Sequence, residues 1–184
     1  MLHDARKRTL ALIEPLSEPD LRQQHDPLMS PILWDLGHIA SFEELWLTRN
    51  LDGEIQFVEM PGLYNPFEHP RATRATLPLP TRAGVLDLLA DVRARTLERL
   101  ARVEFDDANP LLRDGYVYSM VAQHEYQHNE TMLQTLQLKR GEPHQAPRAW
   151  EPPAAPSPLA NGAMVRFPGG DVAIGTEDRA DAYD

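Results

Sequence analysis

The chain has 184 residues, enough for one domain with a sizeable core. Its 28 acidic and 18 basic side chains leave a formal charge of −10, which argues against nucleic acid or an anionic membrane as a partner. With no cysteine, disulfides, zinc–thiolate sites, iron–sulfur clusters and cysteine nucleophiles are excluded, and any metal must be held by His, Asp or Glu.

The N-terminal stretch MLHDARKRTLALIEPL lacks the uninterrupted apolar core of a signal peptide, and no apolar run is long enough to span a bilayer. A soluble cytoplasmic protein is expected. Residues 4–15 read as a first helix, with Ala5, Leu10, Leu12 and Ile13 among charged side chains and Pro15 at its end. Ser17 and Asp20 begin a short second piece that runs to His25. LMSPILWDLGHIASFEELWLTRNL is the second strong helix. Ser30 suits its N-cap and Pro31 its first turn, and Leu33, Leu36, Ile39, Phe42, Leu45 and Trp46 form a broad apolar stripe.

Residues 51–80 read as irregular, interrupted by Gly53, Pro61, Gly62, Pro66, Pro70, Pro78 and Pro80. A connection of that length in a compact domain usually has a function or covers one. It carries Tyr64, Phe67, Glu68, His69, Arg71 and Arg74. Thr81 caps a third helix over 82–103, with Val85, Leu88, Leu89, Val92, Leu97 and Leu100. Asn109 and Pro110 open a fourth over 110–139, which ends before Gly141. Residues 143–160 (PHQAPRAWEPPAAPSPLA) are Pro/Ala-rich and read as a linker. Beyond it, Met164–Phe167 and Val172–Ile174 look like two short strands about a Pro-Gly-Gly turn. Two strands without a third partner are marginal alone.

His124 and His128 stand four apart on the apolar line of the fourth helix, so they point the same way and can grip one metal ion. The spacing alone fits a hydrogen-bonded histidine pair equally well. His38 shifts the balance, because it sits mid-way along the second strong helix beside Trp34, Phe42 and Leu45. Three histidines on core-facing sides of two helices are costly to bury unless something satisfies them, and a shared metal would satisfy all three. Three neutral ligands leave one side of the ion open to water, dioxygen or a thiolate, and spacing does not choose between zinc and iron(II). Gln127 faces the site region, as a substrate or ligand contact or as a polar helix edge. Asp35, three before His38, either orients an imidazole or is solvated. Arg71 and Arg74 are either a carboxylate clamp or two surface arginines. Glu125, Asn129 and Glu130 fall to the sides of the histidine line, and Glu43 and Glu44 lie off the line of His38.

SPILWDLGHIASFEELWLTRN, YNPFEHPRATRATLPLP and HEYQHNETMLQTLQLKRG resemble the N-terminal half of the ergothioneine-biosynthesis sulfoxide synthases, the hercynine oxygenases. FPGGDVAIGT resembles the first strands of the formylglycine-generating-enzyme-like domain that follows in that family. The resemblance implies an all-α, DinB-like four-helix bundle over 1–142, a linker over 143–163 and the start of a second domain over 164–184. It implies a mononuclear nonheme iron(II) held by a three-histidine facial triad, with WDLGH supplying His38 and HEYQH supplying His124 and His128. Gln127 would contact the imidazole of hercynine, and Arg71, with Arg74 as fallback, would hold carboxylates of gamma-glutamylcysteine. The implied activity is that of an oxidoreductase, which joins gamma-glutamylcysteine or another thiol to hercynine with dioxygen. No catalytic residue beyond the metal ligands is implied here, because the family completes its active site from the second domain. The alternative is a zinc-dependent DinB-like thiol transferase.

Overall fold

The computed structural model describes residues 1–52, 62–139, 141–145, 162–177 and 182. Its α-helices are α1 (Leu2–Ile13), α2 (Glu18–Arg22), α3 (Ile32–Glu44), α4 (Asn50–Asp52), α5 (Arg82–Leu100) and α6 (Tyr116–Gln137). Helices α1, α3, α5 and α6 form the bundle: α1 packs on α6, and α3 packs on both α5 and α6. No strand occurs among the described residues, so this part of the chain is all-α.

Local chemistry explains most helix starts. Ser17 accepts from the Asp20 amide while Asp20 reaches back to Ser17, a reciprocal capping box that opens α2. Thr81 accepts from the Gly84 amide and caps α5 as expected. At α3 the expectation fails. Pro31 is the capping residue, and the Ser30 hydroxyl instead accepts from Arg74, 2.7 Å away. The start of α6 also differs, at Tyr116 rather than residue 110. Asp114 and Gly115 have φ of 54° and 70°, and two successive left-handed residues cannot sit inside a right-handed helix. Asn109 therefore caps a separate turn, accepting from the Leu111 amide. At its far end α3 widens into a π-helical turn, Leu45–Arg49, before α4.

The irregular reading of residues 51–80 holds in part: 53–61 lie outside the described residues, and Arg71–Thr76 form a 3-10 turn. The segment read as linker is outside them from 146 to 161. Met164–Phe167 and Val172–Ile174 do not pair as strands. They are exposed, with Ile174 at 96%, which agrees with the marginal stability of a strand pair without a sheet to join. Among the described residues, no helix is long and apolar enough to cross a membrane.

The bundle core is divided. One apolar cluster gathers Leu12, Ile13, Leu33, Leu36, Leu89, Met132 and Leu136 with their neighbours. A second gathers Leu2, Leu47, Val117, Met120, Val121 and Ala122. Between these stretches, each of the four long helices carries buried polar groups: Thr9 on α1, Glu43 on α3, Arg93 and Thr96 on α5, His124, Glu125 and Asn129 on α6. The polar belt between two dry ends contains the candidate site.

Candidate metal centre

The helical period places His124 and His128 one turn apart on α6, and packing of α3 against α6 brings His38 to them. One potential ligand atom from each lies within 4.8 Å of the others. The ring centroids are 4.6 Å apart for His124 and His128, 4.9 Å for His38 and His128, and 5.1 Å for His38 and His124. His124 is buried and the other two are half-buried.

The rings are held from behind. The imidazole of His38 stacks on the Trp34 indole at 4.8 Å, and His124 stacks on Phe42 at 3.6 Å. His38 Nδ1 donates to the Tyr64 carbonyl at 2.8 Å. A carbonyl can only accept, so this bond places the proton on Nδ1 and leaves Nε2 as the free base. Trp34 Nε1 donates to the preceding carbonyl, Leu63, at 3.1 Å. Two consecutive carbonyls thus tie the chain at 63–64 to α3. Gly37 makes the approach possible, because a side chain there would fall inside the Tyr64 ring.

Burial, then the neighbouring His128, holds the His38 pKa down to about 4. Burial, then His128 and His38, holds that of His124 down to about 2. Both rings are therefore neutral at pH 7, the form that binds metal. His128 Nδ1 is buried without a hydrogen-bond partner, 3.4 Å from Asp35 Oδ1. Three imidazoles from two packed helices, one bearing a buried unpartnered nitrogen, fit a single metal ion.

The other residues singled out in the sequence differ in their surroundings. Asp35 is 1% exposed, which rules out the solvated reading. Gln127 is exposed on α6, as is Arg71 on the 3-10 turn. Arg74 is buried: its guanidinium lies 3.5 Å over the Trp34 ring and donates to the His69 carbonyl and Ser30. Glu130 is exposed.

Sequence reasoning missed a second polar group in the belt. Arg93 donates through Nε to Glu43 Oε1 at 2.8 Å and through one terminal nitrogen to Glu43 Oε2 at 3.0 Å and Glu125 Oε2 at 2.6 Å. Its other terminal nitrogen meets the Leu2 carbonyl. Arg6 donates to Glu125 Oε1 at 2.7 Å and Glu43 Oε2 at 3.3 Å, and the Thr9 hydroxyl also reaches Glu125. Desolvation works against the Arg93 charge, yet Glu43 and Glu125 hold its pKa above the ordinary value. The available signal was Arg93 itself, a charge in register with Leu89, Val92 and Thr96 on the inner stripe of α5.

A family model described as the DinB superfamily matches residues 1–132. The chain belongs to the DinB superfamily. It is also similar to longer proteins. One named Hercynine oxygenase from Mycolicibacterium thermoresistibile is 44% identical over 158 residues, 84% of this chain and 34% of that protein. Its namesake from Mycolicibacterium smegmatis is 39% identical over 176 residues, 94% of this chain and 39% of that protein. A third Hercynine oxygenase, from Mycobacterium tuberculosis, is 45% identical over 142 residues, 76% of this chain and 32% of that protein. These matches bear out the family resemblance carried by WDLGH, EHPRATR and HEYQH. This DinB-superfamily chain spans about a third of the length of the curated relatives it matches. The similarity to the Mycolicibacterium smegmatis protein, covering 94% of the chain, runs on past residue 132 into the Pro-rich stretch.

Proposed function

We propose that this chain is the metal-binding part of an iron(II)- and oxygen-dependent sulfoxide synthase of ergothioneine biosynthesis. It joins gamma-glutamylcysteine or a related thiol to hercynine. The observation that carries this reading is the convergence of His38, His124 and His128 from two helices. The name shared by the three relatives supports the choice of chemistry.

His38, His124 and His128 hold the metal, with Nε2 of His38 as its ligand atom. Bound there, iron(II) supplies one-electron chemistry toward dioxygen beside a thiolate. The overall reaction balances without an external reductant: a C–S bond replaces the thiol S–H and the imidazole C–H. One oxygen atom ends on sulfur and the other leaves as water with those two hydrogens.

The chain's own side chains position and exclude. Trp34 and Phe42 wall the metal-side imidazoles with apolar surface, which keeps water from that side. Gln127, exposed on α6 one residue before His128, contacts the hercynine imidazole. Arg71, exposed on the adjoining segment, forks onto a thiol-substrate carboxylate, and Arg74 is the fallback. Residues 164–184 begin the second domain, whose sheet the exposed Phe167, Val172 and Ile174 would join. That domain supplies the remaining substrate contacts and the sulfoxidation step.

The test is anaerobic iron(II) loading of the full-length protein, then oxygen consumption with hercynine and gamma-glutamylcysteine. Thiol-dependent uptake with formation of a C–S-linked sulfoxide is expected. Absence of uptake removes the reading. Retained zinc with oxygen-independent thiol transfer would replace it by the transferase alternative.

A further inference from the structure

We propose that Asp35 is a positioning residue of the metal centre: its carboxyl group takes the Nδ1–H of His128 and so turns Nε2 of that ring toward the ion. The inference deepens the metal-binding reading and rests on it.

Asp35 occupies an unusual position for an acid. It is 1% exposed on α3, between the fully buried Trp34 and Leu36. A carboxyl group removed from water is costly without a donor. Its Oδ2 has no hydrogen-bond partner, and neither has His128 Nδ1, which lies 3.4 Å from Asp35 Oδ1. A buried nitrogen without a partner thus faces a buried carboxyl group whose second oxygen also lacks one, short of hydrogen-bond alignment.

The Arg74 guanidinium feels the Asp35 charge. Its Nε and one terminal nitrogen are committed to the His69 carbonyl and Ser30. Asp35 is also not a competing ligand, since the cluster of converging ligand atoms among the described residues comprises the three histidines.

His38 shows what the arrangement achieves. Its Nδ1 is already tied at 2.8 Å, to the Tyr64 carbonyl, and its Nε2 is free. The same nitrogen of His128 faces Asp35. Both half-buried ligands are thus oriented through Nδ1, one by a neutral carbonyl and one by a carboxyl group. An outer oxygen that accepts from a ligating imidazole fixes its tautomer and raises its basicity. A small rotation of the His128 ring closes the gap.

The experiment is anaerobic titration of the full-length protein with cobalt(II) and with iron(II), for wild type, Asp35→Ala and Asp35→Asn, alongside thermal unfolding of the metal-free proteins. Asp35→Ala should weaken metal binding about 10- to 100-fold. Asp35→Asn keeps the shape and one acceptor oxygen, so it should recover part of that loss. The cobalt(II) absorption bands should shift in both variants as the His128 ring loosens. Metal-free Asp35→Asn should unfold at the wild-type temperature or above, because it removes a buried acid while keeping the side chain's shape and an acceptor oxygen. If Asp35→Ala does not fold, Asp35→Asn carries the test. Wild-type affinity in the variants overturns the proposal, and so does a lowered unfolding temperature in metal-free Asp35→Asn. If wild type binds neither metal, the metal-binding reading itself falls, and with it the role of Asp35.

Discussion

The belt across the bundle holds two polar groups that share helix α6 and differ in completeness. Glu125 joins Glu43, Arg93 and Arg6, where two acids meet two guanidinium groups and the carboxylate oxygens have donors. One residue earlier on the same helix, His124 joins His38 and His128, where three bases face each other with no acid ligand among them, and burial with the neighbouring rings holds His38 and His124 unprotonated. The first group is finished by the protein. The second is finished only by something added, and a metal ion is what three converging imidazole nitrogens accept. A buried polar cluster therefore reports its role through its balance: a closed one specifies the packing of helices, and an open one awaits a ligand.

The comparison can be broken first at the closed group. Arg93→Ala leaves Glu43 and Glu125, both fully buried, without their main counter-charge. It should cost about 3–5 kcal/mol in urea unfolding of the metal-free protein. A loss below about 1 kcal/mol would mean that the network is not what holds the four helices in register.

At the open group the signs reverse. His124→Ala should reduce metal binding more than the roughly 100-fold expected from losing an outer partner, while the metal-free fold survives. His144→Ala, outside the triad, should bind as wild type does. Equal metal loss in both, read by elemental analysis, would remove the ligand assignment.

Acid should separate the groups as well. His38 titrates near 4 and His124 near 2 in the folded chain, against 6.5 ordinarily. The unfolded chain therefore binds more protons below pH 6.5. Folding stability is intact above that pH and falls as pH drops toward the folded values, by up to about 1.4 kcal/mol per unit for each ring. Denaturant midpoints of the metal-free protein between pH 7 and 5 measure the slope. Replacing either histidine by Asn should flatten it, and an unchanged slope would show that the rings do not titrate with folding. Smallest is Thr9→Val, which strips one donor from Glu125 and should cost about 1–2 kcal/mol without changing metal affinity.

The open group was easier to read than the closed one. HEYQH and WDLGH announce themselves because imidazoles at helical spacing on apolar stripes are conspicuous. Glu43 and Glu125 were passed over as lying off the histidine lines, yet both are wholly buried. Their partners are remote in the chain: Arg93 is 50 residues from Glu43 and 32 from Glu125. A single glutamate beside a histidine reads the same whether an arginine waits across the core or water does.

Local chemistry was enough to determine the helices, their approximate bounds and the face that His124 and His128 share, because a period of 3.6 residues and a cap depend only on near neighbours. It also determined that any metal would be held without sulfur. Tertiary structure alone decided that Ser30 serves Arg74, 44 residues away, rather than its own helix. Likewise, only the packed fold shows that Asp114 and Gly115 delay the start of α6 and that Asp35 turns inward to His128. Those outcomes depend on which groups remain unpaired once the helices have packed, and that competition is settled across the core, not along the chain.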